Sequence, residues 1–317
     1  MWNYGFWYNF SMSQSGAKKL SKRRVKRNFT TIGLILILYV LLVMYMPYIF
    51  NLYMTQSNSS ILYDEILYYG IYFIIIVLGT VIPFFFMRKF CKIKLKKLTR
   101  KVNATFIDLF VQTIVFFTIC IALTYVSNML ILYVGLEEKL ISSIGFSYDE
   151  ANLNNYLYLF MLIFVSPLIE EYAFRGVLLN SLSRYGKSFA LYASAIIFAL
   201  AHNSFAEMLP AFAMGVALGK TSIRYKSIQP TIIIHILFNA LIYSFCVMPQ
   251  SVIQYLTYGL VAICVLAFTL IFTGRYQRIS ILSSKTNKMA INLFYSRFTV
   301  IFTMILLVAY TCLYTFL

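Results

Sequence analysis

The chain has 317 residues, 61% of them apolar and 12% charged, and its mean hydropathy is +0.79. The apolar residues fall in runs of about twenty, the length one helix needs to cross a bilayer core of about 30 Å. A soluble globular domain and a disordered chain are both excluded, and the expectation is an all-α, polytopic transmembrane helix bundle.

In chain order, residues 1–28 form an aromatic and basic segment in which Trp2, Tyr4, Phe6, Trp7, Tyr8 and Phe10 precede seven lysines and arginines between Lys18 and Arg27. It reads equally well as an interfacial segment on an anionic leaflet and as a disordered tail that sets topology. Residues 29–149 hold three spans, at 29–50, 66–87 and 106–134. The first is not a cleaved signal peptide, because Tyr45-Met46-Pro47-Tyr48 makes no small-residue cleavage site. A core at 150–250 holds 155–182, 188–203, 208–223 and 229–248, and the remainder, 251–317, holds 252–273 and 293–317. That makes nine spans, or eight if one of the shorter ones is re-entrant.

The net charge of +17 is read by position rather than as a nucleic-acid signal. With this span order, 25 of the 27 lysines and arginines fall on one side, while the opposite loops hold Asp64, Glu65, Glu137, Glu138, Asp149, Glu150 and Glu207. The expectation is an integral membrane protein of a bacterial cell membrane, with its N-terminus in the cytoplasm. Cys91, Cys120, Cys246, Cys264 and Cys312 show no ligand spacing and read as small hydrophobes. Ala211, Gly215 and Gly219 sit at helical spacing in the sixth span, which suits close packing inside the bundle. The oligomeric state is left open.

Three acidic residues fall outside those loops. Asp108, at the start of its span and soon after Lys101, reads as an interfacial carboxylate. Glu170 and Glu171 lie well inside a span, where an ionised side chain is costly and is by default a functional candidate. Arg175 is four residues after Glu171, on the same helix face, and can neutralise it. Glu170 points about 100° away and is left with no partner in its own helix. Pro167 removes a backbone hydrogen bond beside it and loosens the helix.

The two histidines, His202 and His235, are both intramembrane, and His235 shares a helix face with Asn239. Counted from the basic flanks at about 1.5 Å per residue, Glu171 lies roughly 20 Å deep, His202 roughly 22 Å, His235 roughly 14 Å and Asn239 roughly 20 Å. They can line one cavity on three helices.

These residues form the patterns EExxxR (Glu170 to Arg175), FxxxH (Phe198 to His202) and HxxxN (His235 to Asn239). In that order and separation they resemble the CPBP family, which comprises CAAX prenyl endopeptidases together with Abi and bacteriocin-immunity relatives. The resemblance covers residues 170–239 and implies an intramembrane glutamic endopeptidase. It implies that Glu170 acts with His202 to activate a water and that His235 and Asn239 stabilise the oxyanion. Glu171 and Arg175 would support the site and Phe198 would wall it. The implied substrate is a membrane-associated protein or peptide precursor, in a setting such as bacteriocin self-immunity. No cofactor is implied. Glutamate with two histidines leaves a zinc alternative, which the lack of HExxH and the Asn239 spacing disfavour. A second class of function is a non-catalytic scaffold that modulates a partner such as a sensor kinase, which has no need of Glu170, His202, His235 and Asn239 together. A proton-coupled transporter is disfavoured by the lack of an inverted repeat.

Overall fold

The computed structural model describes residues 22–57, 65–94, 98–134, 159–247 and 285–316, with isolated positions between 252 and 262. The described residues are helical and contain no strand. The segment 1–21, most of the predicted span 252–273, and Cys264 lie outside them.

Helix α1 runs from Lys22 to Gln56, passing through a π-helical turn at Leu41–Tyr45. It begins seven residues before the first predicted span, because the basic run 22–28 continues the helix. Helices α2 (Glu65–Phe90) and α3 (Phe106–Tyr133) follow. Asp108 is the start signal of α3: the Thr105 side chain accepts from the Asp108 amide and donates to its carboxylate. Its partner is thus Thr105 rather than the basic neighbour expected from sequence.

Helix α4 (159–183) is irregular. A π segment at Met161–Val165 precedes a short α-helical piece at Ser166–Glu170, and a second π segment covers Glu171–Leu178. Then come α5 (Lys187–Leu200), α6 (Phe205–Tyr225), α7 (Gln229–Val247), α8 (Lys285–Tyr295) and α9 (Phe298–Phe316).

Among the described residues, three helices are long and apolar enough to cross a membrane alone, namely α1, the 67–90 part of α2, and α3, or four if α8 and α9 are one bent span. Sequence placed a single span at 293–317, but the chain bends by 67° at Ser296-Arg297, between α8 and α9. Helix α5 has 14 residues and so extends about 21 Å, less than the bilayer core. The membrane criterion is met by the outer helices, and the site helices are shorter or broken. Hydropathy alone does not reveal those breaks.

Packing among the described residues divides into three apolar clusters, the smallest of which joins Ile131 of α3 to Ala206 of α6. The largest joins α1, α2, α4, α5, α8 and α9, with Ala211 of α6, and includes the edge-to-face rings Phe29 with Tyr185 and Phe294, and Phe174 with Tyr39 and Phe198. A second joins α3, α6 and α7 at Leu109, Cys120, Met214, Leu218 and Ile234. Helices α5 and α6 approach closely enough that a Cβ on Gly215 would meet Ala195 at 3.1 Å and one on Gly219 would meet Leu191 at 2.5 Å. The small-residue spacing therefore serves packing inside the bundle.

The basic segments gather at one end. Arg184 donates to the Cys91 carbonyl at 2.7 Å, the Ile228 amide donates to the Leu98 carbonyl at 2.8 Å, and Asn28 donates to the Tyr185 hydroxyl at 2.7 Å. Cys91, Cys120 and Cys312 are free thiols.

Candidate active site

The centre of the site is a buried ion network. Glu171 Oε1 accepts from Arg175 Nη1 at 2.7 Å, one helical turn on, and from His235 Nδ1 of α7 at 2.9 Å. Glu171 is fully buried and Arg175 and His235 nearly so. The guanidinium lies over the Phe198 ring, 4.1 Å from its centroid, and the same ring meets His202 at 4.6 Å and His235 at 6.4 Å edge-on. Phe198 is thus a plate shared by the cation and both imidazoles.

Glu170 is set apart from this network. Its side chain is 28% exposed, against none for Glu171. It has a partner in its own helix, contrary to the sequence reading: Ser166, four residues earlier, donates to Oε1. The i, i+4 spacing of Ser166 and Glu170 is the local sequence signal of this bond. Glu170 Oε2 lies 4.0 Å from His235 Nε2, longer than a direct hydrogen bond and within the reach of one shared water.

Both histidines have a fixed ring orientation. His202 Nδ1 is 2.8 Å from the Phe198 carbonyl, which can only accept, so Nδ1 carries the proton and Nε2 is left for chemistry. His235 Nδ1 likewise faces a carboxylate, which directs its Nε2 toward Glu170. His202 lies in the turn just beyond α5, where Asn203 at φ 56° reverses the chain into α6.

The π turns explain why Asn239 belongs to the site. In the first π segment the Ser166 amide bonds five residues back to Met161. The next amide would serve Leu162, but Pro167 has none. Asn239 Nδ2 fills that role, donating to the Leu162 carbonyl at 2.8 Å and fastening α7 to α4. Where the second π segment reverts to α, Asn180 Nδ2 likewise serves the carbonyls of Arg175 and Gly176.

One further residue joins the site unannounced by any motif. Tyr39 of α1 is 4% exposed, packs against Phe84 and Phe174, and sits within electrostatic reach of Glu170. No local pattern links a tyrosine in the first helix to Glu170, so only the fold brings them together. Among the described residues, no three His, Cys, Asp or Glu side chains are grouped so as to hold a metal ion.

The described helices thus bring together an accessible glutamate, two oriented imidazoles and an asparagine bound to a broken helix. Residues 152–241 match the family model of Rce1-like type II CAAX prenyl endopeptidases. Part of the chain is also similar to the membrane-embedded CAAX protease MroQ of Staphylococcus aureus (strain USA300), at 34% identity over 96 residues, 28% of this chain and 39% of that protein. Through this segment the chain is similar to CAAX proteases. The match spans about two fifths of the length of that curated relative. No solved structure matches.

Proposed function

We propose that this protein is an intramembrane endopeptidase that hydrolyses peptide bonds of a membrane-associated protein or peptide precursor. The observation that carries the reading is the contrast between the two adjacent glutamates. Glu171 is closed off and neutralised, whereas Glu170 is accessible and faces an oriented imidazole.

Glu170 is the general base. It takes a proton from a water held beside it, assisted by His202 Nε2, and the resulting hydroxide attacks the scissile carbonyl. His235 and Asn239 stabilise the oxyanion, His235 through Nε2 and Asn239 through the amide hydrogen not used on Leu162. Oxyanion stabilisation by His235 requires a proton on Nε2, and the Glu171 carboxylate on Nδ1 holds the ring in place for it. Arg175 then offsets the charge of Glu171. The proton taken by Glu170 passes to the leaving amine.

The proposed setting is a bacterial cell membrane with a cytoplasmic N-terminus, in peptide processing or bacteriocin self-immunity. The test maps peptide termini by mass spectrometry in cells carrying wild-type, Glu170→Ala or His202→Ala protein at equal membrane abundance. The wild type generates new termini that both variants lose. Termini unchanged in both variants overturn the reading.

A further inference from the structure

The serines of α4 do not all behave alike. A serine inside a helix ordinarily returns its hydroxyl to the carbonyl four residues back, as Ser181 does to Val177 at 2.7 Å and Ser183 to Leu179 at 2.6 Å. For Ser166 that carbonyl belongs to Leu162, yet its hydroxyl points forward and donates to Glu170 Oε1. We propose that Ser166 is a positioning residue for Glu170, and that Asn239 sets its direction by occupying the Leu162 carbonyl. This role rests on the reading of Glu170 as the base.

The Leu162 carbonyl is short of a donor for a covalent reason, since Pro167 has no amide to give it in the π turn. A carbonyl left in that state inside a membrane protein attracts any donor in reach, and a hydroxyl four residues on is in reach. Asn239 Nδ2 satisfies it from α7 instead, at 2.8 Å. The Ser166 hydroxyl has a single proton, so it serves Leu162 or Glu170 in turn. With Leu162 satisfied, the carboxylate receives that proton in a charge-assisted bond.

The consequence falls on the two oxygens of Glu170. Oε1 is engaged by Ser166, and Oε2 is the oxygen that faces His235 Nε2 at 4.0 Å. A glutamate side chain has several free torsions, and a second fixed point removes most of its orientations. Ser166 thereby keeps the lone pairs of Oε2 aimed at the position of the shared water. A side chain of α7 thus governs the orientation of the base on α4 through two hydrogen bonds, Asn239 to Leu162 and Ser166 to Glu170.

The contact is tested without cleavage. The full-length protein in native membranes is treated with dicyclohexylcarbodiimide, and the N-acylurea on Glu170 is quantified by peptide mass spectrometry. Ser166→Ala frees the carboxyl to turn in the open space, and labelling rises roughly fivefold, the effect of one net hydrogen bond. Ser166→Thr keeps a hydroxyl at the same spacing and labels at the wild-type rate. Asn239→Leu turns the Ser166 hydroxyl back to Leu162 and raises labelling as far as Ser166→Ala does. Ser166→Ala combined with Asn239→Leu labels no faster than either alone, since both remove the same bond. The proposal is overturned if Ser166→Ala labels as the wild type does, if Ser166→Thr labels like Ser166→Ala, or if the combined variant labels at the product of the two single effects.

Cleavage separates this proposal from the reading beneath it. Formation of the termini mapped for the wild type slows roughly tenfold in Ser166→Ala and recovers in Ser166→Thr. Termini lost in Glu170→Ala but formed at the full rate in Ser166→Ala overturn the positioning role alone. Termini that persist in Glu170→Ala overturn the protease reading, and the labelling still decides the contact.

Discussion

Replacing Arg175 by methionine tests the buried network most directly. Arg175 is 2% exposed and its partner Glu171 is fully buried, so the substitution leaves a carboxylate in the protein interior with only His235 against it. Removing one partner of a buried ion pair costs about 3–5 kcal/mol, whereas replacing both with neutral groups is often close to neutral. At about 2–4 °C per kcal/mol, Arg175→Met lowers the apparent Tm by roughly 6–20 °C. Glu171→Gln combined with Arg175→Met recovers most of that loss, because no unpaired charge remains. Cleavage does not recover, since the Glu171 carboxylate that orients His235 is gone. The assay is a double-mutant cycle read by fluorescence-detected gel filtration after heating, with peptide termini measured in parallel. The reasoning is refuted if Arg175→Met melts within about 2 °C of wild type, a shift under about 1 kcal/mol, or if the double variant is no more stable than the single one.

Three further expectations come from the same geometry. Glu170→Gln removes the base and lowers cleavage by about 10²–10⁴-fold, with thermal stability unchanged because this side chain is partly exposed. Asn239→Leu frees the Leu162 carbonyl and removes an oxyanion donor; turnover falls by about 10²–10³-fold, and hydrogen exchange accelerates around residues 161–170. Tyr39→Phe deletes one hydroxyl near Glu170, so it changes the pH profile of cleavage while leaving the Tm within about 2 °C of wild type, as a change under about 1 kcal/mol would. An unaltered pH profile in Tyr39→Phe removes that residue from the site.

The membrane character, the helical class and the EExxxR, FxxxH and HxxxN patterns were legible in the residues, because bilayer thickness and helical periodicity act locally along the chain. The pairing of Glu171 with Arg175 was legible for the same reason, being a contact four residues apart on one helix. Tertiary structure decided the rest. It set His235 between the two glutamates, closed Glu171 and left Glu170 accessible. It also supplied Asn239 to the carbonyl that Pro167 leaves unpaired in a π turn, and brought Tyr39 from the first helix. Such contacts depend on how helices distant in sequence rotate and bend against each other. Short site helices that hydropathy reads as ordinary spans, such as α5, have lengths fixed by turns and breaks that only packing stabilises.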